Sequence, residues 1–378
     1  MNLTSRERLE RIFRKQEIDR PALKVWGSAL YGTYPLLSPL YEPVAKLAAE
    51  KTDLFLSCGG FGCDLIAGGK GSEYREVWEE DTPEPTWKIR HTVYHTPKGD
   101  LHQRESISTI GEPGYTLEYC IKEPEDIDRM LSMEYEPFPV DRSDFDAQER
   151  RLGDRGVTTI NLPHAGFAAQ TLMGSETMAW FSIDCREELH RLIHTYAERN
   201  LQHVKRVLST GVKAPFAWVG PELLIPPLMS PVDFQEFVFD CDKPVCDAIH
   251  EAGGHVWVHC HGNVADFIEP FIRMGVDVLN PLEPAGRGGD IRLDESIARF
   301  GNRIGWEGNI EIKDILLAPQ EKLRELIDEC VRSGAPSGRF ILCPTAGFNE
   351  YVFPTEHYIE NLKFYINYGL EAVERYRR

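Results

Sequence analysis

Several absences bound what this chain can be. Its nine cysteines, an odd number, include no C-x-x-C pair. That argues against the disulfide framework of small secreted domains and for a reducing, cytoplasmic compartment. No apolar run approaches the roughly 18 uncharged residues of a membrane span, and the opening M-N-L-T-S-R-E-R-L-E-R-I-F has no apolar signal-peptide core. Positive charge is in short supply: a net charge of −18 disfavours nucleic-acid backbones and anionic membrane surfaces as partners. Neither an internal repeat nor a Pro/Gly/Ser-rich linker divides the 378 residues, which points to one domain over 1–378.

What is present is the composition of a soluble enzyme, 42% hydrophobic and 27% charged, and a regular alternation of elements. Thr4-x-x-Glu7 makes a capping box ahead of Leu9, Ile12 and Phe13, so the chain begins with a short amphipathic helix that closes one end of the fold. Apolar runs that read as strands lie near Ala22, Asp53, Val157, Ala214, His255, Val276, Arg303 and Arg339. Helical patterns separate them, among them one opened by Ser230-Pro231 that buries Phe234, Phe237, Val238, Cys241, Val245 and Ile249. Eight such units predict an α/β fold, a (β/α)8 TIM barrel. One stretch departs from this: Trp87, Ile89, His91, Val93 and His95 alternate up to a Pro97-Lys98-Gly99-Asp100 turn. It predicts an antiparallel β-hairpin inserted at about 73–120, in which His91 and His95 are strand residues. Cys58 and Cys63 read as small residues of a Gly-rich loop.

The most informative stretch is 256–263, V-W-V-H-C-H-G-N. Residues two apart on a strand share a face, so His259 and His261 project together and Cys260 points away into packing. In a (β/α)8 barrel, reactive groups sit where the strands end, at the C-terminal mouth. The fourth strand ends at Glu222, the fifth at His259 and His261, the sixth at Glu283, the seventh at Glu307 and Asn309, and the eighth at Cys343. His259, His261 and Cys343 would make a His2Cys zinc site with one position open, and the thiolate favours zinc over magnesium or calcium. Glu222 and Glu283 are each a fourth ligand, a general acid or base, or a rim carboxylate. A retaining glycosidase with carboxylates Glu222 and Glu307 is disfavoured, because Glu222 lacks a preceding asparagine and His-x-His has no use there.

These residues, with T-S-R-E-R-L-E-R-I-F, L-M-S-P-V-D-F-Q-E-F, V-L-N-P-L-E-P and the final Y-G-L-E-A-V, resemble the uroporphyrinogen decarboxylase superfamily over most of the chain. True decarboxylases of that family carry an arginine-rich loop after the first strand, where this chain reads K-V-W-G-S-A-L-Y-G. The resemblance is closer to the corrinoid-dependent methyltransferase branch, whose His-x-Cys-Gly-Asn becomes His259-Cys260-His261-Gly262-Asn263 here. It implies a zinc enzyme moving a methyl group between a small methylated substrate, a methyl ether being favoured by a more positive zinc, and a corrinoid (methylcobalamin/Co(I)) carried by a partner protein. Trp26, Glu307 and Asn309 are then expected at the substrate pocket, and Glu222 or Glu283 at a proton on the leaving oxygen. The alternatives are a uroporphyrinogen decarboxylase-like decarboxylase, a methylcobamide:thiol methyltransferase of the coenzyme M kind, or a barrel that binds without chemistry. The oligomeric state is left open, a homodimer included.

Overall fold

The computed structural model describes residues 2–58 and 61–377, so Gly59 and Gly60 of the expected Gly-rich loop lie outside the described residues. Its strands are β1 (Ala22–Leu23), β2 (Leu54–Cys58), β3 (Arg75–Asp81), β4 (Trp87–Thr96), β5 (Gly99–Ser108), β6 (Tyr115–Glu118), β7 (Gly156–Asn161), β8 (Pro215–Val219), β9 (His255–His259), β10 (Val278–Asn280), β11 (Gly305–Ile310) and β12 (Phe340–Pro344). Eight of them form a curled parallel sheet in the order β1-β12-β11-β10-β9-β8-β7-β2, the expected barrel, with helices around it. The other four form a separate antiparallel sheet, β3-β4-β5-β6. The expected hairpin is therefore its central pair, β4 and β5, with a strand added on each side. The flanking strands carry too little apolar alternation to be read as strands, and β3 is exposed at every residue.

Thr4 caps the first helix, Ser5–Phe13, with both halves of the capping box formed. Its Leu9, Ile12 and Phe13 are buried and share one apolar cluster with Phe55, Val157, Ala217, Trp257, Val278 and Ile341 of the barrel strands. The helix is thus a plug in the N-terminal end. The next positions along each strand, such as Leu56, Phe216, Val256, Val258, Leu279 and Leu342, are buried on the outward face against the helical layer. The helix opened by Ser230 keeps its capping box, passes through a turn of π-helix at Gln235–Phe239, and buries all six residues that its periodicity marks. Thr355 likewise caps the final helix, Glu356–Glu374. Among the described residues no helix is long and apolar enough to cross a membrane.

The barrel closes between β1 and β2 around Asp53. Its backbone N–H donates to Leu23 O (2.7 Å), and its carboxylate accepts from Leu23 N (2.9 Å), Arg8 (2.6 Å) and Arg20 (3.1 Å). Arg8 also holds Asp19 through two bonds of 2.8 and 2.9 Å, so one buried ionic cluster ties the plug helix to the seam. Burial pushes both carboxyls up. The Arg8 bond at Asp19 and the Arg20 and Arg8 charges at Asp53 outweigh it, and Asp19 falls to about 2. Removing one partner leaves buried charges uncompensated, so Asp53→Ala is expected to lower the unfolding free energy by about 3–5 kcal/mol in urea titration. Carboxyls whose folded pKa is depressed stabilise fully above their unfolded value near ~4. Wild-type stability should therefore fall as pH drops through that range toward 2, more steeply than in the Asp53→Ala protein.

Candidate active site

Moving two residues along each strand from the apolar plug reaches the next inward layer, and that layer is polar. Glu307 is its centre. The strand expected at 303–306 runs as Gly305–Ile310, in register with β12, so Glu307 lies inside it and is fully buried instead of standing past its end. Its carboxylate accepts from Lys24 Nζ (2.8 Å), Trp257 Nε1 (2.8 Å) and Asn280 Nδ2 (3.1 Å). The Lys24 ammonium also lies over the rings of Phe55 (3.8 Å), Trp26 (5.0 Å) and Trp257 (5.0 Å), where cation–π attraction adds to the ion pair.

The same network fixes His259. Asn280 spends its amide N–H on Glu307, so its Oδ1 faces His259 Nδ1 at 2.6 Å. His259 must then donate from Nδ1, leaving the Nε2 lone pair available. Burial, with His261 beside it, holds this imidazole neutral by taking its pKa down to about 3. His261 is set in the same tautomer by different means: Nδ1 donates to Glu283 Oε1 at 2.8 Å, and Glu283 Oε2 accepts from Gly262 N at 2.6 Å. Gly262 sits at φ +85°, a conformation that a side chain would resist. Burial pulls His261 down and pushes Glu283 up; their mutual bond overrides it, raising the histidine and lowering the carboxyl. The rings meet edge to face with centroids 4.4 Å apart, so the expected pairing of His259 with His261 is formed.

Neither Nε2 has a hydrogen-bond partner among the described residues. Two imidazoles with Nδ1–H tied to an amide and a carboxylate are the donor chemistry that zinc takes, the outer partners holding ring and tautomer in place. Cys343 faces the same interior, two positions beyond Ile341, and is fully buried. Burial, reinforced by the Glu307 charge, pushes its pKa far up. Among the described residues no group of three or more His, Cys, Asp or Glu stands in a metal-ligand arrangement, so His259, His261 and Cys343 do not form one group as they stand. Cys260 is buried in packing, as expected.

The remaining expected residues separate. Trp26 lines a cavity of about 470 Å³ in the barrel mouth and stacks on Trp257 (5.3 Å) and His259 (4.7 Å). Glu222, in the turn after β8, accepts from Gly220 N at 3.0 Å and acts electrostatically on His261. Asn309 is placed elsewhere. It lines a second cavity beside Glu329 and Cys330, with its backbone N–H donating to Cys330 Sγ at 3.4 Å, because the strand end is bonded outward to the helix Gln320–Gly334. Sequence reasoning missed Lys24, Asn280, Trp257 and Glu311. Glu311 accepts from Thr345 Oγ1 (3.1 Å), and burial together with the Glu283 charge pushes its carboxyl up. Counting by two from Ala22 and Val278 would have found Lys24 and Asn280; Trp257 is itself a plug residue.

In metal-free protein, ring-nitrogen NMR should show His259 as the Nδ1–H tautomer with no titration between about pH 5 and 8. His261 should titrate above its ordinary 6.5. Asn280→Ala is expected to release His259 into a tautomer mixture; an unchanged Nδ1–H signal would contradict the network.

A model of the uroporphyrinogen decarboxylase (URO-D) family matches residues 167–370, more than half of the chain. Among solved structures the chain is similar to a methyltransferase from Methanosarcina mazei, 14% identical, over 98% of this chain and 99% of that one, with a TM-score of 0.60. It is more distantly similar to a Bacteroidetes-affiliated GH5 cellulase, 12% identical, over 63% and 79% of the two chains at a TM-score of 0.35. The first is a likeness of fold along the whole chain, and the second carries no further weight. No curated protein matches the sequence.

Proposed function

The chain belongs to the uroporphyrinogen decarboxylase (URO-D) family, and from that premise we propose that it is a methyltransferase, moving a methyl group from a small methylated substrate to a corrinoid on a partner protein. The observation that carries this reading is the pair His259 and His261, each fixed with Nδ1 protonated and Nε2 open. In this reading they would hold zinc, with Cys343 as the third ligand. When bound, the ion supplies Lewis acidity to the heteroatom of the substrate.

The protein's own groups do the rest. The corrinoid would accept the methyl carbon from its heteroatom, a methyl ether oxygen in the favoured case, and the departing oxygen would need a proton. Glu283 is committed to His261 and Gly262. Glu311 and Glu350 are the nearby carboxyls whose pKa burial raises, the direction a general acid requires, and Glu222 is a further candidate. The cavity walls orient the substrate and exclude water. Against decarboxylation of a tetrapyrrole stands the lining itself: among the described residues the only Lys or Arg at the cavity is Lys24, already paired with Glu307. Multiple substrate carboxylates would have no counter-charge.

Elemental analysis of the protein supplied with zinc is expected to give about one zinc per chain, as a three-donor site of this kind binds. His259→Ala, His261→Ala and Cys343→Ala should each lose it, together with methyl transfer to Co(I). Full retention in Cys343→Ala would remove that residue from the ligand set, and absence of metal in the wild type would remove the mechanism.

A further inference from the structure

Resting on the methyl-transfer reading, we infer that the substrate is an aromatic methyl ether without negative charge, selected by an aromatic cavity whose one cation is already neutralised. Trp26, Tyr34, Phe55 and Trp257 all line the cavity at the barrel mouth, and about 470 Å³ accommodates a ligand of one or two rings. An aromatic lining favours a flat apolar ligand, since aromatic pairs gain beyond their buried area.

Charge decides the rest. An anionic ligand would need a free cation. Lys24 is the only Lys or Arg lining the cavity among the described residues, and its ammonium is 2.8 Å from Glu307, inside a ring of aromatic faces. The carboxyl in the lining, Glu350, adds to the cost of an anion. A cation finds the faces of Phe55, Trp26 and Trp257 already carrying Lys24 at 3.8 to 5.0 Å, but Glu350 offers it a counter-charge, so it is negative charge that the lining excludes. A ring without negative charge avoids that cost. Ser57, Thr159 and Asn161 supply hydrogen bonds for a hydroxyl or ether oxygen on its edge.

The test is a calorimetric titration of the full chain with three probes that share one ring and differ in charge: 4-methoxybenzyl alcohol, 4-methoxybenzoate and 4-methoxybenzylammonium, beside the saturated ether 2-methoxyethanol. The neutral aryl probe should bind about tenfold tighter than the anion and the saturated ether, and the ammonium probe tighter than the anion, given the cost of burying an unpaired negative charge and of losing ring contacts. Trp26→Leu, checked for an unchanged melting curve, should weaken it about three- to tenfold. Binding of the anion as tight as that of the neutral or the ammonium probe, equal binding of the saturated ether, or binding of no probe would overturn the inference. Methyl transfer to Co(I) corrinoid is measured separately. Neutral aryl binding without transfer leaves this inference standing and counts against the methyltransferase reading; transfer from 2-methoxyethanol but not from the aryl ether does the reverse.

Discussion

The buried carboxylate of Glu307 is the constraint on which the site depends. A charge in a barrel interior is tolerated only when it is paired and its lone pairs are used, and here Lys24, Trp257 and Asn280 use them. Each partner then acts further out. Lys24 draws the faces of Trp26, Phe55 and Trp257 around itself; Asn280, its amide orientation fixed, dictates the tautomer of His259; the same charge adds to burial in pushing the Cys343 thiol up. A satisfied polar network of this kind specifies one arrangement where an apolar core would allow several.

The barrel divides into two layers with different work. Toward the N-terminal end the interior is apolar and plugged by the first helix, and the closing seam there is drawn together by Asp53, Arg8 and Arg20. Toward the C-terminal mouth the same strands present Lys24, Ser57, Thr159, His259, Asn280 and Glu307. The division follows the general rule that stability sits at one end of a (β/α)8 barrel and chemistry at the other. Two independent devices prepare the histidines: a neutral amide for His259 and a carboxylate for His261. One ring is therefore held neutral while its neighbour is raised toward protonation.

Much of this was legible in the sequence because it is local. A capping box, a period of 3.6 in the helix after Ser230, and a period of 2 at His259-x-His261 are each written within a few residues, and the structure carries all three. Eight alternating units and the motif set sufficed for the fold and for the family that the comparison found. The hairpin was read and its two flanking strands were not, since exposed edge strands such as β3 have no buried face to enforce alternation.

What the sequence by itself determined is thus the barrel, its order of elements, and which strand ends bear histidines, carboxylates and a cysteine. Tertiary structure alone decided which of these meet. It took Glu307 from the rim into the interior by setting the register of β11 against β12, turned Asn309 outward onto Cys330, gave Glu283 to His261, and brought Lys24, Asn280 and Trp257, 27 to 283 residues away in sequence, onto one carboxylate. The physical reason is that periodicity states which face a side chain takes, whereas a partner across the barrel is chosen by strand register and by the need of a buried charge to be paired, and neither is written locally.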